Sequence, residues 1–204
     1  MNPEHRIYLA SRSPRRRELL TQIGVSFDML LFRAPPRVDD AVDESNLPGE
    51  DPIDYVKRVA LAKSAHGIHL MNARQLRPRP LLTADTTLDL EGEIIGKPRD
   101  AMDAERILGQ LSGRTHRVLS AVVVSLDGQV ESALSVSEVR FRELDAAEIR
   151  HYVQSGEPMD KAGAYGIQGR AAMFVSEIRG SHSGIVGLPL CETALLLKKF
   201  GFNF

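Results

Sequence analysis

The spacing of apolar positions along this chain changes period repeatedly, and each change marks a new element. Leu9-Ala10-Ser11 closes a short strand, and a helical pattern starts at Pro14. Ser13 is placed to cap that helix, Pro14 suits its first position, and Gly24 can end it after Ile23. Residues 25–32 read as a second strand. Residues 33–52 then turn to Pro, Gly, Asp and Glu with little periodicity, a long connection of the mobile or functional kind. Asp51-Pro52 opens a long helix to about Leu70, with Ile53, Val56, Ala60 and Lys63 on one stripe.

Farther on, Leu81-Leu82-Thr83-Ala84 predicts a short buried strand ending at Asp85. Glu91-Gly92 supplies a turn, and Glu93-Ile94-Ile95 runs back toward Gly96-Lys97-Pro98. Asp100 caps a helix that ends at Ser112-Gly113. Residues 118–126, the Asp127-Gly128 turn and residues 130–141 make a hairpin. Asp145 and Glu148 have capping-box spacing, residues 171–178 read as a strand, and Pro189 starts a last helix that ends at Gly201. Helices interleave with strands, and one long hairpin is antiparallel. The pattern predicts an α/β fold: a single domain over residues 1–204, with a mixed β-sheet flanked by helices.

Composition narrows the function classes. A formal net charge of −1 gives no global field to draw in nucleic acid or an anionic membrane. No apolar run is long enough to span a bilayer, and residues 1–8 lack the apolar stretch of a signal peptide. Cys191 is the single cysteine, which excludes an internal disulfide and fits a reducing cytoplasm. The expectation is a cytoplasmic protein without nucleic-acid or membrane partners.

Candidate chemistry starts at the first helix. Arg15, Arg16 and Arg17 crowd its first turn, where the helix dipole already places about half a positive charge. That concentration is explained if a phosphate binds there; otherwise the arginines point into water. Lys63 sits where the stripe expects an apolar residue, so its ammonium either points into a cleft or snorkels to solvent. Asp85 is a magnesium ligand that positions water, a base for that water, or an Asp bonded to its own turn. Lys97 follows a glycine that lets a ligand approach, although the segment is no Walker loop. Asp39, Asp40, Asp43 and Glu44 form an acidic run that gains interest only if one carboxylate folds back beside Asp85. Glycines at 163, 166 and 169 suggest a backbone pressed against a planar base, with Gln168 offering a donor and an acceptor to read it. His66 and His69 lack the further ligands of a zinc set.

These pieces, in this order, resemble the Maf family, the septum-formation-inhibitor-like nucleotide pyrophosphatases. The likeness rests on Ser13-Pro14-Arg15-Arg16, Ala84-Asp85-Thr86, Gly96-Lys97-Pro98-Arg99-Asp100, Leu111-Ser112-Gly113-Arg114-Thr115-His116, Asp160-Lys161-Ala162-Gly163 and Val186-Gly187-Leu188-Pro189. It implies a mixed-sheet fold shared with the inosine-triphosphate pyrophosphatases, often dimeric. It also implies a divalent cation (Mg²⁺ or Mn²⁺) and hydrolysis of a nucleoside triphosphate to monophosphate and pyrophosphate. Residues 163–169 look like the dTTP/UTP branch; the sister branch, acting on 7-methyl-GTP, differs in this loop. In the dTTP/UTP branch, the positions matching Arg15, Thr86 and Gln168 are linked to substrate choice, and the one matching Asp85 is the proton acceptor. On this reading Ser11, Arg15, Arg16, Lys63 and Lys97 hold the triphosphate, while Asp85 and Glu44 hold the metal. Ser181-His182-Ser183 departs from the Ser-Tyr pair usual before the Gly-Leu-Pro turn. A nucleotide-binding regulator of cell division is the competing class.

Overall fold

The computed structural model describes residues 6–32 and 42–204. Asp39 and Asp40 of the acidic run lie outside the described residues. The order is β1 (Arg6–Leu9), α1 (Pro14–Gln22), β2 (Ser26–Met29), α2 (Pro52–Ala73), β3 (Leu81–Leu90) and β4 (Glu93–Ile95). Then come α3 (Ala101–Leu111), β5 (Thr115–Leu126), β6 (Gln129–Phe141), α4 (Ala146–Gln154), β7 (Val175–Arg179), α5 (His182–Val186) and α6 (Leu190–Lys199).

Side-chain caps fix several of the helix starts. Asp51 accepts from Ile53 N at 2.8 Å and Asp100 from Asp103 N at 2.8 Å. Asp145 and Glu148 complete the expected capping box at α4. Ser13 departs from expectation, because its side chain makes no cap bond at α1. Ser11 Oγ instead accepts from the Ser13 amide at 3.2 Å. The Asp127-Gly128 turn has both residues at positive φ, as a two-residue hairpin between β5 and β6 demands. Residues 171–174 are not strand as expected: Arg170–Phe174 is a 3-10 turn, and β7 starts at Val175.

The seven strands among the described residues form one mixed sheet, ordered β2-β1-β3-β5-β6-β7, with β4 also on β3. β1 runs parallel to β2 and β3, and the remaining pairs are antiparallel. On one face α2 buries Val56, Val59 and Ala60 against Leu119, Ala121 and Val123. The larger core covers the other face, where Ala84, Leu88, Val118 and Val122 meet α3, α4 and α6.

One feature of β3 decides where a ligand can go. The strand does not end at Asp85; it continues to Leu90. β5 pairs all but the last residue of β3 on one edge, from Leu81 to Asp89. On the other edge β1 pairs only Leu81 and Leu82, and β4 only Leu88 to Leu90. Among the described residues no strand pairs residues 83–87 on that edge, which leaves a gap between those two partners. Asp85 is therefore a mid-strand residue beside a missing neighbour rather than a strand-terminal one.

Candidate active site

A cavity of about 790 Å³ opens at that gap. Because β3 side chains alternate between faces, the gap exposes groups from both sides of the sheet. Asp85 points to the α2 face with Thr83, whose hydroxyl donates to Ala60 O. Thr86 points to the opposite face, where its hydroxyl meets Ser120 Oγ at 2.8 Å.

On the α2 face, Lys63 donates to Asp85 Oδ1 at 2.7 Å and pairs with Glu44 Oε1 at 2.9 Å. Its stem is mostly covered and its ammonium lies in the cleft, which resolves the choice that the apolar stripe left open. Glu44 reaches this point because α2 holds its loop. Tyr55 OH donates to Glu44 O at 3.0 Å, and Arg58 donates to the carbonyls of Asp43 and Ser45 while gripping both oxygens of Glu50. Burial, with the charges of Asp85 and Glu44 adding, pushes the Tyr55 phenol up to about 12, so it serves as a neutral donor.

Opposite stands α1. The Arg16 guanidinium donates to Gly187 O at 2.8 Å, Ser11 Oγ at 3.2 Å and Thr86 Oγ1 at 3.3 Å. Three of its five N–H groups are used, leaving two for a ligand. Burial pulls its pKa down, opposed by the negative charges of Asp85 and Glu44. Thr86 and Ser120 extend the chain of bonds, since Ser120 Oγ donates to Gly184 O at 2.7 Å. Arg15 also lines the cavity, and the Arg12 guanidinium donates to Phe32 O at 2.5 Å, tying the turn before α1 to the segment after β2.

The third wall comes from the β4–α3 connection and residues 160–168. Lys97 lines it with no carboxylate partner among the described residues. Lys161 donates to Asp160 and to Glu157 O, both at 2.5 Å, and holds the Asp160 carboxyl below its ordinary range. Gln168 is exposed at the cavity wall. The glycines around it are closely packed by the protein's own side chains. A Cβ at Gly163 would lie 2.5 Å from Leu88, one at Gly166 2.8 Å from Lys161, and one at Gly169 2.1 Å from Glu157. Behind this wall Tyr165 shares a 2.8 Å hydrogen bond with the Nε2 of buried His116.

Ser11, Arg15, Arg16, Glu44, Lys63, Asp85, Thr86, Lys97 and Gln168 thus all line one cavity. Sequence reasoning missed Tyr55, Arg58, Lys161 and Ser120, which hold the others in place. Arg58 and Tyr55 had one available sign, their position on the α2 face nearest an unpatterned acidic loop.

The carboxylates can be tested against a divalent cation. Asp85 and Glu44 each give Lys63 one oxygen and keep a second. No group of three or more metal-capable side chains occurs among the described residues, so an all-protein cage is absent there. Two carboxylates in a cleft also lined by arginines and lysines suit Mg²⁺, which takes few protein ligands and completes its shell with water or other oxygens. The donor set fits.

A sequence profile described as "Maf-like protein" matches residues 6–200. The chain belongs to the Maf family. Maf relatives named dTTP/UTP pyrophosphatase span nearly its whole length. That of Dechloromonas aromatica is 61% identical, covering 97% of this chain and 98% of its own. That of Aromatoleum aromaticum is 64% identical over 97% and 96%, and that of Cupriavidus metallidurans 54% over 97% and 98%. A solved structure titled "The structure of the Staphylococcus aureus Ham1 protein" has a TM-score of 0.45 and 15% identity, covering 67% of this chain and 71% of that one. No helix of this Maf member among the described residues is long and apolar enough to cross a membrane.

Proposed function

We propose that this chain hydrolyses dTTP and UTP to the nucleoside monophosphate and pyrophosphate. One observation carries the reading: four cations (Arg15, Arg16, Lys63, Lys97) and the Asp85–Glu44 carboxylate pair face a single cavity. A triphosphate bears about four negative charges, and charge-assisted bonds strengthen as a cleft excludes water. Relatives up to 64% identical carry the name dTTP/UTP pyrophosphatase, which supports the choice of substrate.

In the proposed reaction a water oxygen bonds to the α-phosphorus as the bond to the bridging oxygen of the leaving pyrophosphate breaks. Asp85 accepts the proton of that water. Arg16, Arg15 and Lys97 hold the phosphate oxygens, with Ser11 as a neutral donor, and each donor near the leaving group is worth about 10²–10³ in rate by analogy with oxyanion-hole donors. Thr86 seats Arg16, and Gln168 reads the pyrimidine edge. Asp85 and Glu44 would hold Mg²⁺ or Mn²⁺, and such an ion supplies neutralising charge to the phosphates. A cytoplasmic homodimer belongs to the same proposal; it rests on the family likeness and the single cysteine, and light scattering checks the oligomer.

The test is pyrophosphate release by the purified full-length chain with Mg²⁺ or Mn²⁺, scored on dTTP, UTP, CTP, GTP and 7-methyl-GTP. Faster turnover of dTTP and UTP supports the proposal. Fastest turnover of 7-methyl-GTP moves the chain to the sister branch. No pyrophosphate with either metal leaves the nucleotide-binding regulator.

A further inference from the structure

Gln168 sits at the tip of a four-residue turn, closed by Gly169 N donating to Gly166 O at 2.9 Å. Its side chain is exposed, so its aim depends on how firmly both ends of that turn are held. Two residues outside the cavity lining hold them. Arg170 N, just past the turn, donates to Glu157 Oε2 at 3.1 Å. Tyr152 OH donates to Glu157 Oε1 at 3.1 Å, and the same phenol lies beside the Gly166 backbone. Gly166 and Arg170 are thus bracketed by one connected pair, Tyr152 and Glu157.

The pair is rigidly mounted. Tyr152 is buried on α4 and packs edge-on against Phe174 at 5.2 Å. Lys161 donates to Glu157 O at 2.5 Å, fixing the backbone that carries the carboxylate. Gly169 belongs to the same arrangement, because any Cβ there would lie 2.1 Å from Glu157 Oε1. A glycine, a carboxylate and a phenol from three segments thus meet beside the turn.

We infer that Tyr152 and Glu157 are positioning residues for base selection, latching the turn that presents Gln168 to the nucleotide. This deepens the proposed function and rests on it for the role of Gln168. Among the described residues no hydrogen bond joins Tyr152 or Glu157 to Arg15, Arg16 or Lys97, and only the charge of Arg15 reaches the Tyr152 phenol, so losing the latch loosens choice of base more than bond cleavage.

The test uses Tyr152→Phe, Glu157→Gln and Gln168→Ala in the full chain. Each single variant is expected to lower the kcat/KM ratio of UTP over the poorest nucleotide by about tenfold, with kcat on UTP within about threefold for the two latch variants. Glu157→Gln combined with Gln168→Ala should be no less selective than Gln168→Ala alone, because both changes remove one function. Amide exchange on the ligand-free protein gives a reading independent of turnover: protection at Arg170 should fall about tenfold in Glu157→Gln. Unchanged selectivity or unchanged exchange in the latch variants, beside a Gln168→Ala that loses selectivity, overturns the latch. Unchanged selectivity in Gln168→Ala overturns base reading by Gln168, and the latch's role in selection falls with it. A wild-type protein without turnover would instead defeat the proposed function, while the exchange measurement still decides whether the latch exists.

Discussion

Lys63 on α2 places its ammonium 2.7 Å from Asp85 Oδ1 on β3, bridging helix and sheet where β3 lacks a strand neighbour. Glu44 shares the same ammonium, so one lysine balances two carboxylates. A cation entering this pair takes the carboxylate oxygens that Lys63 leaves free and is repelled by the neighbouring ammonium. Lys63→Met is therefore expected to tighten Mn²⁺ binding to the nucleotide-free protein, by on the order of tenfold, while turnover falls. Calorimetric titration with Mn²⁺ measures it. Weaker or unchanged affinity would show that these carboxylates do not form the metal site.

Asp85→Asn keeps an oxygen to accept from Lys63 but removes the charge and the proton acceptor. Turnover of dTTP should fall by about 10²–10⁴, with the melting temperature moved by no more than about 4–5 °C. Wild-type turnover in this variant would sink the assigned role.

Arg16→Lys is not conservative here. The guanidinium spans Gly187 O, Ser11 Oγ and Thr86 Oγ1, three acceptors in a fork that an ammonium cannot match. Urea unfolding should show a loss on the order of 1–3 kcal/mol, and the KM for dTTP should rise. An unchanged unfolding midpoint would mean that Arg16 belongs to the substrate alone.

Burial pushes His116 down from 6.5 to about 4, and its Nδ1 has no partner. The unfolded chain therefore binds a proton that the folded chain refuses between these values. The stability this contributes is present above pH 6.5 and is lost as pH falls from 6.5 toward 4, on the order of 3 kcal/mol across the window. His116→Gln, which can still bond Tyr165, should flatten that slope in pH-dependent unfolding. Asp103 and Glu148, both held down to about 2 by arginine and backbone donors, add a separate loss below pH 4. An identical slope in the variant would assign the first window to other groups.

The caps at Asp51, Asp100 and Asp145 were legible because they are local: a side chain bonds an amide two or three residues away. So was the β5–β6 hairpin, whose turn chemistry is written in two residues. The length of β3 was harder to read. Asp and Thr suggest a turn, yet burial is satisfied by distant partners: Ala60 O for Thr83, Lys63 for Asp85, Ser120 for Thr86 and Arg117 for Asp89. Polar residues at 83, 85, 87 and 89 alternate with period two, which was the available sign of a strand. Cavity-lining residues were legible where unusual charge sat on a patterned element, as at Arg15, Arg16 and Lys63. Their supports were not, because Arg58, Tyr55, Glu157 and Tyr152 act across segments that only folding brings together.

The gap in β3 also constrains residues that touch no substrate. Ala10 N donates to Leu82 O, and peptide groups alternate in direction along a strand, so those of Ala84 and Thr86 face the opening. Any strand laid there would zip onto them, whether from a longer β1, a longer β4 or a stray peptide. Both neighbours must therefore stay short: the chain leaves β1 after Leu9 to wind α1, and β4 stops at Ile95. Two extra residues of extended chain at either point would close over the opening without altering a single side chain that lines the cavity.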